Sequence, residues 1–442
     1  MSLHKNLKTS FMQKHFIALI LLVLFASKAC GNIIRDSEIE EAISLVAEPI
    51  IKAAHLNNVK IYLINDNSLN AFTAGAEAIY IYSGMINQFP DIDVIRGVIA
   101  HEMGHVLGKH IVRQQENIDI YGKAALSTLA IGLASAVAGN SSLATAIALG
   151  GVHFAERSIL SYSRTFESSA DQTALRLLEQ SGYSARGMVK FFEYSSATHR
   201  GALINPYDQT HPLSQERLAS LKYSYQNSKF KDAKNPLELE YKFARSAAKL
   251  LAFTVDPKQL LNSINPALPL EIVNYIKAIC YFRTGDLDKS MQHINTLIAA
   301  KPKDAFYHEL KGQILFEFGK KESLNSYITA QALRPDDILI KFSRAIVGIT
   351  IYADSPNKLD EFYKDLKLVV NREPDNLLAL YYLAIYYEKV GKKSDSLLAS
   401  AILAFKTNDI ARAKGLAKAA IKGLTPNTPS WYKANDIILT DG

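Results

Sequence analysis

The chain has 442 residues, of which 48% are hydrophobic and 21% are charged, so it is long enough for two or three globular domains and too apolar for a disordered chain. Its formal charge is +7, but four of its 50 basic residues lie within residues 1–29, which contain no acid, and the remaining 46 nearly balance the 43 acidic residues. This balance gives no reason to expect a nucleic-acid partner, and two distant cysteines, Cys30 and Cys280, exclude a disulfide framework.

Residues 1–29 have the pattern of a secretory signal peptide. A basic segment precedes the apolar run Phe16–Ala26, and small residues follow it. The run is too short for a comfortable transmembrane span, so we predict export of the protein. Cleavage would leave Cys30 as the first residue, but Ser27 and Lys28 differ from the residues that usually precede a lipidated bacterial cysteine.

Hydrophobic periodicity next predicts a helix followed by strands. Ser37–His55 has apolar residues at helical spacing, directly after Asp36, a residue type that caps helices. The period changes to two in Val59–Ile64 and Ala78–Tyr82, which are rich in β-branched and aromatic residues. Between them, Asn70–Thr73 fits either an ordinary sheet strand or an edge strand that binds an extended peptide through its main chain.

The stretch Ile99–His110 contains the motif H-E-x-x-H. His101 and His105 lie four residues apart in a helical pattern, so both imidazoles can bind one metal ion from the same helix face. Glu102 follows His101 directly, where its carboxylate can reach a metal-bound water rather than the metal. This arrangement predicts general-base activation of water for attack on a carbonyl.

The segments around the motif predict a long helix and then an uncharged hairpin. The helix should begin at Asp91 or Asp93 and continue to about Glu116. Residues 124–155 contain no charged side chain, and the length of this segment would suffice for a membrane span. A polar interruption at 140–142 and many small residues nevertheless favour a helical hairpin. Such a hairpin would pack on the protein or touch a membrane surface. A membrane-embedded protease that uses this segment as a true span is the alternative.

The two histidines need a third protein ligand. A metzincin would require histidine at position 111, but His110 arrives one residue early, on another helix face. No suitable glutamate lies about twenty residues after His105, as a thermolysin-like site would require. Glu167 is the best remaining candidate, because Asp171 lies one turn later and can orient a ligand histidine. Glu156 is the competing ligand, and a solvated charged face is the alternative interpretation of the acidic pair.

From Asn235 onward the sequence is helical and repetitive. Small, bulky, glycine and proline positions recur with a spacing of 34 residues, or 33 for the prolines, which is typical of tetratricopeptide repeats. Such repeats stack helical hairpins whose concave surface binds peptides or proteins, whereas an irregular helical tail is the alternative. The residues with this spacing are Ala278, Tyr281, Gly285 and Pro302, followed by Gly312, Leu315, Gly319 and Pro335. A third copy at Pro374, Ala384, Tyr387 and Gly391 follows a degenerate one that contains Ala345.

Four motifs together resemble the gluzincin metallopeptidases of family M48. They are N-A-F at 70–72, H-E-M-G-H at 101–105, R-x-x-E-x-x-A-D at 164–171 and T-H-P-L-x-x-x-R-L at 210–218. The resemblance implies an α+β gluzincin peptidase domain, mostly helical with a small β-sheet, over residues 30–228. An all-α tetratricopeptide-like solenoid would follow over residues 229–442. A signal peptide combined with such repeats is similar to a periplasmic branch of the family.

The resemblance also implies a site with one zinc ion per chain. His211 would be a regulatory fourth ligand or would stabilise the oxyanion, with Arg217 beside it. The implied residues are His101, His105 and Glu167 for zinc; Glu102, His211 and Arg217 for catalysis; Asp171 for orienting a ligand histidine; and Asn70, Ala71 and Phe72 for substrate binding.

The expected function is that of a secreted zinc endopeptidase that hydrolyses misassembled cell-envelope proteins through a Glu-activated, zinc-bound water. It would act in the periplasm of a Gram-negative bacterium, with or without peripheral membrane contact. Its repeats would bind substrates or the outer-membrane assembly machinery. The alternative is a repeat-based periplasmic assembly chaperone or adaptor with latent protease activity.

Overall fold

The computed structural model describes residues 33–74, 78–110, 113, 164–198, 207 and 211–440. The expected signal peptide, residues 1–29, and the expected hairpin, residues 124–155, lie outside these described residues. Contacts between residues divide the chain into two compact units, Met1–Thr254 and Val255–Gly442.

The first unit contains a four-stranded mixed sheet with the strand order β1-β2-β4-β3. Its strands are β1 Ile33–Ile34, β2 Lys60–Ile64, β3 Ala71–Ala74 and β4 Ala78–Tyr82. Strands β2 and β4 are parallel, whereas β1 and β3 each pair antiparallel with their neighbour. Among the described residues, β3 therefore forms one edge of the sheet, as in the edge-strand alternative, and peptide binding at this edge stays a prediction.

Two helices of the first unit begin at aspartate caps. Helix α1, Ser37–Ala53, follows Asp36, whose carboxylate accepts hydrogen bonds from two backbone N–H groups of the first turn. Helix α3, Ile92–Gly108, carries the H-E-x-x-H motif and is capped by Asp91. It ends at Gly108, before the predicted end, although His110 and Arg113 are helical again and Arg113 N–H donates to Lys109 O. The physical reason is the left-handed conformation of Lys109, with φ 51° and ψ 37°, which ends the regular helix.

The remaining helices complete one hydrophobic core with the sheet. They are α2 Ser83–Gln88, α4 over residues 164–181, α5 Arg186–Thr198, α6 Gln215–Asn227 and α7 Leu237–Thr254. Buried side chains from α1, β4, α3, α4 and α5 meet in this core, for example Ile50, Ile81, Ile99, Leu178 and Phe191. The core holds the motif helix between the sheet and the other helices, which fixes the position of its two histidines.

Helix α7 belongs to the first unit, although the sequence-based boundary at residue 228 assigned it to the repeats. It packs on α1 and brings Phe243 and Leu250 into the shared core. Two of its buried basic side chains also pair with acids at the start of α1: Arg245 with Glu38, and Lys249 with Asp36. The contacts therefore place the division of the chain after Thr254.

The second unit is helical throughout its described part, residues 255–440. Consecutive helices pack against each other along the chain, with separate hydrophobic clusters in successive groups of helices. Its helices are α8 Pro257–Ser263, α9 Leu270–Arg283, α10 Leu287–Ala300, α11 Ala305–Glu317, α12 Ser323–Leu333, α13 Ile338–Ile351, α14 Asp360–Arg372, α15 Leu377–Lys389, α16 Lys393–Lys406, α17 Ile410–Ala420 and α18 Pro429–Leu439. Among the described residues of both units, no helix is long and apolar enough to cross a membrane.

Candidate metal centre

Helices α3 and α4 approach each other closely at Gly104. A β-carbon on Gly104 would lie 2.6 Å from the backbone oxygen of Ala170, so any side chain at this position would force the helices apart. Glu167 and Asp171 lie on the same part of α4 as Ala170. The absence of a side chain at Gly104 therefore lets both acids reach His101.

Four buried side chains converge beside this crossing: His101, His105, Glu167 and His211. The Nε2 atoms of His101 and His105 lie 3.1 Å apart. The two carboxylate oxygens of Glu167 lie 3.3 Å from these nitrogens, Oε2 from His101 Nε2 and Oε1 from His105 Nε2. His211 Nδ1 lies 3.3 Å from His101 Nε2 and 3.1 Å from Glu167 Oε1. The structure thus brings the three predicted ligands together and adds His211 to them.

Five of the six separations among these four donors fit a tetrahedral zinc ion, and the set as a whole lies within 4.8 Å. Zinc binds histidine and carboxylate ligands at about 2.0–2.2 Å, which in a tetrahedron places the donor atoms about 3.3–3.6 Å apart. The separations given above are close to this value. Three imidazole nitrogens and one carboxylate oxygen are also a donor set that zinc prefers over magnesium or calcium.

Glu102 lies beside the four donors rather than among them. Its side chain is buried, and Glu102 Oε1 lies 3.4 Å from His211 Nε2. Neither atom has a hydrogen-bond partner within the described part of the chain. A free carboxylate oxygen next to a metal-binding cluster is the arrangement expected of a general base.

Asp171 and Arg217 hold His101 in its orientation. His101 Nδ1 lies 3.0 Å from Asp171 Oδ1, which leaves Nε2 facing the other donors. Arg217 donates to both oxygens of Asp171, at 2.6 and 2.9 Å, and to the backbone oxygen of Pro212 at 2.7 Å. It also lies 3.1 Å from Glu167 Oε2. Because these bonds engage the guanidinium, the geometry favours a positioning role for Arg217 over contact with the oxyanion.

The charges of the cluster favour a cation at its centre. Burial lowers the pKa of His101, but the hydrogen bonds that its imidazolium donates to Asp171 and Glu167 outweigh burial and raise the pKa to about 10. Burial likewise opposes ionisation of Glu167, yet its hydrogen bonds with His101, His105 and His211 hold its pKa far below the ordinary value. Burial lowers the pKa of His105. Glu167 and Asp171, whose pKa values are both lowered, therefore stay ionised, and a divalent cation would take the place of the proton that His101 carries in its absence.

The predicted substrate-binding residues lie at the edge of the sheet, where β3 packs on the motif helix. Ala71 is fully buried on the core face, and Asn70 is buried just before the strand. Phe72 points to the opposite face, because side chains alternate along a strand, and its ring stacks on Tyr80 at 5.0 Å. A peptide bound at this edge would therefore contact the main chain of β3 more than the side chain of Phe72.

Sequence reasoning missed the contacts that two aromatic side chains, Tyr207 and His110, make with the cluster. Tyr207 stacks on His211 at 4.5 Å between ring centroids, and its backbone oxygen accepts a 2.7 Å hydrogen bond from His211 N–H. The Tyr207 backbone N–H in turn donates to Leu69 O, next to the edge strand. His110, rejected as a ligand, lies buried beside His105. The four-residue spacing of Tyr207 and His211 was the available signal for the first contact.

Comparison with known proteins places the cluster within a peptidase domain. Residues 34–225 match Peptidase family M48. The chain is 23% identical to the beta-barrel assembly-enhancing protease of Escherichia coli strain K12 over 308 residues, which are 65% of this chain and 60% of that protein. It is 34% identical to metalloprotease LoiP of the same strain, over 36% of this chain and 59% of that protein. The mitochondrial metalloendopeptidase OMA1 of Saccharomyces cerevisiae is 25% identical over 39% of this chain and 50% of its own length. The chain thus spans about 60% of the length of the first of these relatives.

Proposed function

Because this chain carries a peptidase domain of family M48, we propose that the protein is a zinc endopeptidase that hydrolyses peptide bonds of other proteins. The observation that supports this most directly is the convergence of His101, His105, Glu167 and His211, with Glu102 beside them. The first three would hold one zinc ion per chain, and Glu102 would be the general base.

In the proposed reaction, zinc would act as the Lewis acid that polarises the scissile carbonyl and lowers the pKa of the attacking water. Glu102 takes the proton from that water as it attacks, and then passes the proton to the leaving amine. Asp171 keeps His101 in the tautomer that presents Nε2, while Arg217 holds Asp171 in place. A peptide would lie along the edge of β3, held by main-chain hydrogen bonds.

We propose that His211 occupies the fourth ligand position in the resting enzyme. Its Nδ1 lies as close to His101 Nε2 as the carboxylate of Glu167 does, at 3.3 Å in both cases. A fourth protein ligand leaves no open position for water or substrate, and catalytic zinc sites need one. His211 would therefore have to leave before a peptide is cleaved, which makes it a brake on the enzyme. Oxyanion stabilisation is the alternative role for this side chain.

The proposed activity is tested by zinc analysis and casein cleavage with the purified full chain. We expect one zinc ion per chain, cleavage of casein, loss of cleavage with 1,10-phenanthroline, and recovery on adding zinc. A serine-protease inhibitor is the matched control and should have no effect. Absence of zinc from the wild-type protein would overturn the site assignment. Zinc without cleavage of casein would shift support to a chaperone function.

The substitution His211→Ala separates the two roles of His211. If His211 blocks the fourth position and leaves it in about a tenth of the molecules at rest, His211→Ala should increase casein cleavage by about tenfold. Zinc should still be bound by the other three ligands. The increase should appear in kcat/KM for a short fluorogenic peptide as well. A fall in kcat with unchanged KM would instead support oxyanion stabilisation.

We also propose that the second unit is an array of tetratricopeptide-like repeats that binds substrates or partners. Gly285, Gly319 and Gly391 all have positive φ angles directly after a helix, and the first two are 34 residues apart. The hydroxyls of Ser290 and Ser396 donate to the backbone oxygen twelve residues earlier in each case. Recurrent local contacts of this kind support repeated helical hairpins.

The location and partners of the enzyme rest on the likeness to beta-barrel assembly-enhancing proteases. We propose that the protein works in the periplasm of a Gram-negative bacterium after removal of residues 1–29. Its substrates would be misassembled envelope proteins, and its repeats would contact the outer-membrane assembly machinery. The repeat array also favours a second candidate function, an assembly chaperone or adaptor in which proteolysis is latent.

A further inference from the structure

His110 is a buried histidine that the proposed reaction does not use. It is 3% exposed, and its Nδ1 lies 3.0 Å from His105 Nδ1. The other nitrogen of His105, Nε2, is the atom that faces His101 and Glu167. His105 is therefore held at both ring nitrogens, one within the donor set and one by His110.

The end of the motif helix creates this contact. Along a continuing α-helix, a residue five positions after His105 would lie about 140° further around the axis and could not reach its ring. The left-handed conformation of Lys109 ends the regular helix just before His110. The His110 ring then lies over Gly108, where a β-carbon would come within 2.1 Å of His110 Nε2. The backbone turn at Lys109 thus directs the His110 ring towards His105, and the missing side chain at Gly108 leaves room for it.

Helix α4 holds the ring from the other side. The His110 ring stacks on Phe166, with centroids 4.6 Å apart and planes 13° apart, and it meets the His105 ring edge to face. Phe166 immediately precedes Glu167 in the chain. The same turn of α4 therefore supplies one member of the donor set and the surface that fixes His110.

We infer that His110 is a positioning residue for zinc, acting through His105; this inference rests on the zinc centre proposed above. A histidine that binds zinc through Nε2 carries its ring proton on Nδ1, so His105 Nδ1–H donates to His110 Nδ1. The bond fixes the ring angle and tautomer of His105, as Asp171 does for His101. The two histidine ligands are therefore held by different groups: His101 by the charged carboxylate of Asp171, and His105 by the neutral imidazole of His110.

The test compares the zinc affinity of variants by chelator competition. His110→Leu keeps an apolar side chain without an acceptor, and we expect zinc affinity to fall about 10–100-fold. His110→Asn places an amide oxygen near the position of Nδ1 and should recover most of the affinity. Gly108→Ala leaves the residue at position 110 unchanged but should weaken zinc binding, because the added β-carbon displaces the His110 ring. Since alanine stabilises a helix more than glycine does, this loss would not reflect a weaker helix. Phe166→Leu removes the aromatic surface on which the His110 ring stacks and should weaken zinc binding less than His110→Leu does. Phe362→Leu replaces a buried aromatic side chain of the second unit and is the packing control, which should bind zinc as the wild type does.

Two further readouts separate positioning from folding. Thermal unfolding of the zinc-free variants should be close to that of the zinc-free wild type. In the zinc-loaded wild type, NMR of ¹⁵N-labelled histidines should show a protonated, hydrogen-bonded Nδ1 on His105, and this signal should change in His110→Leu. Wild-type affinity in His110→Leu, or equal weakening in His110→Leu and His110→Asn, would overturn the inference. Failure of the wild type to bind zinc would instead overturn the zinc centre and this inference with it.

Discussion

Replacing Glu102 by glutamine is expected to lower peptide cleavage by about 10²–10⁴-fold while leaving one zinc ion bound, because glutamine has the same shape but cannot accept the proton of the attacking water. Glu102 does not belong to the donor set, and its Oε1 faces His211 Nε2 at 3.4 Å. Loss of the carboxylate should therefore affect the reaction and not the metal. Zinc content and kcat/KM for casein or a fluorogenic peptide check both parts of this expectation.

The exposed pair Glu193–Lys222 offers a matched control for Glu102→Gln. The side chain of Glu193 is 50% exposed, so Glu193→Gln should change neither zinc content nor cleavage. Cleavage that persists in Glu102→Gln would remove Glu102 from the role of base. In cells that lack the gene, full complementation by the Glu102→Gln variant would favour the chaperone or adaptor function, because that function needs the repeats and not the base.

Replacing Arg217 by methionine is expected to destabilise the protein by about 3–5 kcal/mol, because it leaves Asp171 charged and buried without its main partner. Asp171 is 3% exposed and accepts two hydrogen bonds from Arg217. Its remaining charged neighbour would be His101, whose orientation depends on Asp171. Zinc affinity should therefore fall together with stability. Chemical denaturation and chelator competition measure the two effects.

The second unit contains a matched control for Arg217→Met. Arg344 pairs with Asp365 at 2.7 Å and with Glu361 at 3.1 Å, and its side chain is 14% exposed. Arg344→Met should destabilise the protein but leave zinc affinity unchanged, since no ligand depends on it. Arg217→Lys keeps the charge but loses the planar, two-point contact, so its zinc affinity should lie between those of the methionine variant and the wild type. Equal zinc affinity in Arg217→Met and the wild type would contradict the positioning role.

The local features of this protein follow from short-range patterns in its amino-acid sequence. The helical spacing of His101 and His105 places both on one face of a helix, and this needs no knowledge of the fold. The change of hydrophobic period located the strands, with Ala78–Tyr82 confirmed to the residue. Asp91 was one of two predicted caps for the motif helix, and it is the one that binds the backbone. Such features depend on neighbours within a few residues, so composition and spacing suffice.

Packing of separate helices brings together the distant residues that complete the candidate site. From the pattern alone, Glu167 and Asp171 fitted a solvated helix face as well as a metal site. Their contact with His101 depends on the helix crossing that Gly104 allows. His211 lies 110 positions from His101 along the chain, and only packing brings the two rings together. Family resemblance had named these residues, but periodicity could not, because it carries no information about contacts between separate elements.

His110, five residues after His105, shows the same difference between what helical spacing predicts and what packing produces. Helical spacing correctly excluded it from the face that carries His101 and His105, since a continuing helix would turn it away. The left-handed Lys109 and the close approach over Gly108 then returned the ring to His105. A left-handed backbone at a lysine is uncommon and is selected by packing rather than by local preference. Short-range patterns therefore predict the side chains of the H-E-x-x-H motif, whereas packing between separate elements holds His101 and His105 in place.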